Sequence, residues 1–200
     1  AGNTVVLTPP PQNPLATMET ARALIDAGLP DGVLTVLPGG REVSAALCAA
    51  PGVDAVSLTG SVGAGLDVAE ATARLLRPLH LELGGNGAAV VLEDADLDLV
   101  VAETLRGRML MNGQACAATK RLVLSRRIAD EVVSRLDSAL GSVRVGDPAE
   151  EASEVGPLID APSASRVAGQ VANAMAQGAR LVRGSESARG AWYVPTLLAE

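Results

Sequence analysis

Cys116 closes the run Gly113-Gln114-Ala115-Cys116 and is followed by Ala117 and Ala118. Small neighbours leave room for a substrate carbonyl beside the sulfur. A thiolate at such a place can add to an aldehyde, with nearby backbone N–H groups holding the oxyanion. A cysteine among alanines is also the usual pattern of a buried small hydrophobe. Cys48, inside Ala45-Ala46-Leu47-Cys48-Ala49-Ala50, is that case and is assigned no role. Glu82 is the second candidate, the one acid in Leu81-Glu82-Leu83, directly before Gly84-Gly85. A carboxylate in apolar surroundings has a raised pKa and becomes a useful base near neutral pH. The competing reading is a strand-end acid facing solvent. The two glycines shift the balance, because they let another backbone or a ligand approach closely. The third feature is Thr59-Gly60-Ser61-Val62-Gly63-Ala64-Gly65, between a strand and a helix. Such a turn presents backbone N–H groups and a helix N-terminus to a pyrophosphate. It is not the G-x-G-x-x-G fingerprint, and glycine turns of this kind are often only turns.

These residues need elements to hold them. Thr4 to Leu7 reads as a buried strand, Leu15 to Ala27 as a helix ending at Gly28, and Gly32 to Leu37 as a strand. A helix over Glu42 to Ala50, a strand over Ala55 to Leu58, the glycine turn from Gly60 to Gly65 and a helix over Leu66 to Leu76 follow. Strand and helix alternating at short intervals predict βαβ units, a parallel sheet and helices on both faces. The pattern changes near residue 80. Strands are expected over Leu79 to Leu83 and Ala88 to Leu92, then a helix capped by Asp96 and running to about Met111. A strand over Arg121 to Leu124, helices over Ala129 to Leu140 and Ser163 to Gln177, and strands over Arg180 to Val182 and Tyr193 to Leu197 complete the reading. A domain boundary is placed near Leu83 to Gly87.

Composition narrows the class. The 200 residues are 48% hydrophobic and 20% charged, with one Trp, one Tyr and no Phe. This is a globular composition with an aliphatic core. A net charge of −7 argues against nucleic acid and against anionic lipid as partners. No apolar run approaches the roughly 20 residues of a membrane span. One histidine, His80, and two separated cysteines cannot build a zinc site of the usual kind, so no metal is expected. Two cysteines without a disulfide framework fit the cytoplasm. Ala1-Gly2-Asn3 enters a strand at once and Pro195 to Glu200 stops directly after one, which suggests an internal piece of a longer chain.

Taken together, the pieces resemble the aldehyde dehydrogenase superfamily. Ala1-Gly2-Asn3-Thr4-Val5-Val6-Leu7 is similar to its A-G-N-x-V-V-x strand, and Ala27-Gly28-Leu29-Pro30-Asp31-Gly32-Val33 to its A-G-L-P-x-G-V link. Leu58-Thr59-Gly60-Ser61 matches F-T-G-S with Leu for Phe. Leu81 to Gly85 matches L-E-L-G-G, and Gly113 to Cys116 matches G-Q-x-C. Cys116 lies 34 positions after Glu82 (116 − 82), the separation expected of that family. Asp94-Ala95-Asp96-Leu97, Val145-Gly146-Asp147-Pro148, Gly156-Pro157-Leu158-Ile159 and Pro195-Thr196-Leu197-Leu198 follow in order, so the resemblance covers essentially the whole chain.

The resemblance implies an α/β fold. Residues 1–83 would be the C-terminal part of a Rossmann-type cofactor domain, and residues 84–200 a thiol-bearing catalytic domain incomplete at its C-terminal end. It implies that Cys116 attacks an aldehyde, that hydride passes to NAD or NADP, and that Glu82 activates the water that releases the acid. Gly60 and Ser61 would approach the cofactor pyrophosphate and Gly65 would permit close packing there; Leu83 and Thr8 complete the implied cofactor set. Thr8-Pro9-Pro10-Pro11 stands where the family has Lys-Pro-Ser-Glu, which leaves the choice of NAD or NADP open. Asn86 stands where the family has Lys after L-E-L-G-G. An oxyanion-holding asparagine and a ribose-gripping glutamate of the family fall outside the 200 residues. The piece alone is therefore expected to be inactive, and its parent to be a homo-oligomer. A relative that acylates coenzyme A, which lacks the water-activating Glu, and a catalytically silent fragment are the competing readings.

Overall fold

The computed structural model describes residues 2–200, which divide after Gly84 into two compact units. The first unit alternates β1 (Val5–Leu7), α1 (Pro14–Asp26), β2 (Leu34–Val36), α2 (Arg41–Ala49), β3 (Val56–Gly60), α3 (Val62–Ala73) and β4 (Leu79–Leu83). Pro14 starts α1 with a preset φ, and Gly28 ends it at φ +97°, its N–H donating to the Ile25 carbonyl at 2.9 Å. β1 pairs with β2, and β3 with β4, both in parallel. Each pair is joined through a helix, as parallel neighbours require. Along β4 the period of two is plain: Leu79, Leu81 and Leu83 are half-buried, whereas His80 and Glu82 are exposed.

The second unit contains β5 (Ala88–Val91), α4 (Leu97–Met109), a 3-10 turn (Leu110–Gly113), β6 (Arg121–Leu124), α5 (Ala129–Gly141), α6 (Ala161–Ala176), β7 (Arg180–Arg183) and β8 (Leu197–Ala199). The Asp96 carboxylate caps α4 by accepting from the N–H groups of Asp98 and Leu99 at 3.0 and 3.2 Å. β5 and β6 pair in parallel, while β7 and β8 pair antiparallel with an irregularity between Leu181 and Arg183. Ala164 and Val171 of α6 pack with Tyr193 in a core flanked by Leu158, Val167 and Met175.

β1, read as a buried strand, is exposed at all three of its residues, and the largest boundary shifts are in α3 and β8. α3 begins at Val62 rather than Leu66, so Gly63 and Gly65 lie inside its first turns. Ser61 caps the helix there, and the absence of a side chain at Gly65 lets it sit close to β4. At the other end, the strand expected over Tyr193 to Leu197 is displaced to Leu197–Ala199. Tyr193 is drawn into the α6 core, and its hydroxyl donates to the Ser185 carbonyl.

Candidate functional site

In the second unit, Cys116 is an exposed free thiol on the loop between the 3-10 turn and β6. The loop is held from both sides. Upstream, Asn112 donates from Nδ2 to the Pro157 carbonyl and accepts at Oδ1 from the Gly156 N–H, both at 3.1 Å. Gln114 accepts at Oε1 from the Ile159 N–H at 2.9 Å and donates from Nε2 to the Met111 carbonyl at 3.1 Å. Downstream, the Lys120 ammonium donates to the carbonyls of Cys116 at 3.0 Å and Ala118 at 3.3 Å. Ala118 is fully buried, and the Gly87 carbonyl accepts the N–H groups of both Lys120 and Arg121. Gly85 runs alongside: a Cβ there would stand 3.8 Å from the Cys116 carbonyl oxygen, an ordinary contact. Gly85 thus lies where backbone approaches backbone, although the space alone does not demand a glycine.

Arg108 lies beneath this loop. A Cβ at Gly113 would meet its Nη2 at 2.8 Å, its Nη1 is buried without a partner, and burial pushes its pKa below the ordinary guanidinium value. Cys48 contrasts with Cys116. It is buried in α2, and desolvation raises its thiol pKa against a smaller lowering by the Arg77 guanidinium. Arg77 itself ends α2, donating to the Cys48 and Ala50 carbonyls at 2.5 and 2.6 Å. The Cys48 carbonyl would otherwise lack a partner at a helix C-terminus, whereas the Ala50 carbonyl also accepts the Val53 N–H at 3.2 Å.

In the first unit, Glu82 stands on the polar face of the β3–β4 pair with Ser57, Thr59 and His80. Its side chain is 65% exposed and its Oε1 lies 3.5 Å from His80 Nε2. The apolar surroundings expected from Leu81 and Leu83 are therefore absent in this unit. Those leucines project to the opposite face, as alternation along a strand dictates. His80 also meets the Ser57 hydroxyl through Nδ1 at 3.4 Å, a neighbour the sequence reading did not connect to Glu82.

The expected cofactor residues fall into two places within that unit. Gly60 ends β3, and Ser61 caps α3 by accepting from the Ala64 N–H at 3.2 Å. Helix geometry offers no acceptor to the N–H groups of Val62 and Gly63. Gly65 packs against β4 so tightly that a Cβ would come within 2.8 and 2.9 Å of the two Leu83 methyls. Thr8 follows β1 directly, and its buried Oγ1 has no hydrogen-bond partner. Thr8 and Ser61 each stand just past the carboxyl end of a parallel strand, the position ligands take in open α/β sheets. An orphaned hydroxyl, free helix-end amides and a glycine-tight helix fit a phosphate-bearing ligand. Among the described residues no group of three or more His, Cys, Asp or Glu side chains is placed to hold a metal ion, and no helix is long and apolar enough to cross a membrane.

The sequence reading missed Asn112, Gln114 and Lys120 as side chains holding the loop. The Asn112-Gly113 dipeptide marks a turn by itself, but its partners lie 44 to 45 residues away.

Comparison with known proteins extends these observations. The aldehyde dehydrogenase family model matches residues 1–200. The chain is 40% identical over 202 residues to geranial dehydrogenase of Castellaniella defragrans, covering all of this chain and 42% of that protein. A crystal structure of lactaldehyde dehydrogenase from Escherichia coli is similar with a TM-score of 0.93 at 38% identity, covering 98% of this chain and 42% of that one. A mutant of aldehyde dehydrogenase C from Pseudomonas syringae, crystallised with NAD+ and octanal, gives a TM-score of 0.93 at 32% identity, over 98% of this chain and 41% of that one. The chain thus spans well under half the length of the relatives it matches.

Proposed function

Because this chain belongs to the aldehyde dehydrogenase family, we propose that its parent protein oxidises an aldehyde to a carboxylic acid with NAD or NADP, through a covalent intermediate on Cys116. The observation that carries the reading is an exposed thiol on a loop braced from both sides, in a chain whose whole length matches that family. Sγ of Cys116 adds to the aldehyde carbon and forms a thiohemiacetal, whose oxyanion is held by backbone N–H groups at the loop. The bound nicotinamide supplies the acceptor for the hydride that leaves that carbon. The resulting thioester is cleaved by water. Glu82 takes the water proton, the acyl–sulfur bond breaks, and the carboxylic acid leaves with the thiol restored.

Residues 1–83 are assigned to the cofactor domain and residues 84–200 to the catalytic domain. Thr8, Gly60, Ser61, Gly65 and Leu83 form the cofactor side. The orphaned Thr8 hydroxyl and the Ser61-capped helix end support that assignment. The Pseudomonas syringae relative, crystallised with NAD+ and octanal, supports the cofactor class and an aldehyde substrate. Expression of the full-length protein with a panel of aldehydes, following NADH or NADPH formation, tests the proposal. Turnover that disappears in Cys116→Ser is expected; an equally active Cys116→Ser variant would refute it.

A further inference from the structure

The thiol loop begins in unusual backbone. Met111, Asn112 and Gly113 have φ of +52°, +58° and +76°, three successive residues in the left-handed region. Glycine adopts it freely and asparagine tolerates it better than other side chains, but methionine does not. Strained backbone persists only where its surroundings hold it, and such strain concentrates at functional sites.

We propose that Asn112 is a positioning residue for Cys116: its side-chain amide locks this left-handed turn onto the Gly156–Pro157 backbone and thereby sets where the sulfur is presented. The proposal rests on the reading of Cys116 as nucleophile. Both ends of the Asn112 amide are engaged, Nδ2 on the Pro157 carbonyl and Oδ1 on the Gly156 N–H. Only one amide orientation satisfies both partners, so the group is fixed in rotation as well as in place. Gln114 continues the seam by accepting from the Ile159 N–H. On the far side, Lys120 holds the Cys116 and Ala118 carbonyls, and Ala118 is fully buried. Cys116 lies exposed between these two anchors, with exposed Ala117 beside it. Releasing the upstream anchor lets the strained turn relax and the sulfur shift. Nucleophilic attack tolerates displacement poorly, since about 1 Å of misplacement can lower a rate about 100-fold.

The test uses the full-length protein with Asn112→Gly, which keeps the left-handed φ available and removes both hydrogen bonds. The expected result is a kcat per titratable thiol lowered by about 10- to 100-fold, with KM for the cofactor unchanged. The rate of Cys116 alkylation by iodoacetamide, followed against pH, should depart from the wild-type curve. If Asn112→Gly does not fold, Asn112→Asp, which retains the acceptor for the Gly156 N–H, is read in the same two assays. Wild-type kcat per thiol together with a wild-type alkylation curve would overturn the proposal, even if the thermal midpoint fell. The alkylation readout does not need turnover. An active Cys116→Ser variant would therefore remove the nucleophile reading, while the alkylation curve would still decide whether Asn112 governs the loop.

Discussion

Cys48 and Cys116 carry the same thiol in opposite surroundings. Cys48 is 7% exposed within α2 and burial pushes its pKa up, which disfavours the reactive thiolate; Cys116 is exposed on its loop. Iodoacetamide at neutral pH is expected to modify Cys116 first, with Cys48 following only on unfolding; peptide mass spectrometry reads the order. Cys48→Ala should cost about 1 kcal/mol in urea denaturation, the scale of a small buried group removed, and leave turnover intact. Faster labelling of Cys48 would show that its burial is wrongly assigned. Glu82 carries a separate prediction. Glu82→Gln in the full-length protein should retain a rapid first burst of NADH or NADPH and slow the steady state, because the water step alone needs the base. Equal loss of burst and steady state would place Glu82 elsewhere in the reaction. Cys116 and Glu82 could be proposed from the sequence because a thiol and a carboxylate carry their chemistry in the side chain. The surroundings of Glu82 were not, since its face is shared with His80 of its own strand and Ser57 of β3, and a linear run does not show which neighbours a pleat brings alongside.

At the scale of elements, the Ser61-capped start of α3 is the helix end proposed to meet a phosphate. Gly65→Ala would drive a Cβ into the Leu83 methyls, the far end of a flexible side chain. The expected cost is therefore about 1 kcal/mol, at the low end for overpacking. A double-mutant cycle with Leu83→Ala should show coupling between the two positions, and strict additivity would deny the contact. Asp160 gives a pH signature for α6. Its carboxylate accepts from the Ser163 N–H at 2.7 Å, and hydrogen bonding to Ser163 holds its pKa below the ordinary carboxylate value. A depressed folded-state pKa means that the stabilisation is present above the unfolded value and is lost as pH falls through the folded one. Asp160→Asn should accordingly flatten the acid limb of stability below about pH 4, measured by thermal melts from pH 2 to 7. An unchanged acid limb would show that the cap contributes nothing there. Caps such as Asp96 and stops such as Gly28 were readable because they act within a few residues. The early start of α3 was not, because its first-turn glycines read as a turn and their packing against Leu83 is tertiary. β8 was misplaced for the same reason: Tyr193 has strand propensity, yet the α6 core claims it. The Asn112 lock was hidden more deeply. Its partners are backbone atoms, which leave no residue-type signature in a sequence.

At the scale of the whole molecule, much apolar surface is uncovered. A compact 20.2 kDa monomer exposes about 8,800 Å², and two equal globules sharing that mass about 10,600 Å²; this chain exposes 13314 Å². Part of the excess is the outer face of β5 and β6, where Val90 is 69% and Val123 53% exposed. Leu15, Leu66 and Leu76 add to it. Val90 and Val123 are register partners and lie side by side, and exposed apolar surface of this kind binds ANS. The isolated 200 residues should therefore bind the dye ANS strongly, and the full-length protein weakly per unit mass. Equal dye fluorescence from the two would contradict the surface excess.

The measurement closest to the central claim is acid-quenched mass spectrometry of the full-length Glu82→Gln variant after mixing with a turned-over aldehyde and its nicotinamide cofactor. An acyl adduct on the peptide that carries Cys116, absent when the cofactor is left out, is the predicted result. A substrate-dependent adduct on Cys48, or none on either cysteine while the wild type turns over, would contradict the assignment of the nucleophile.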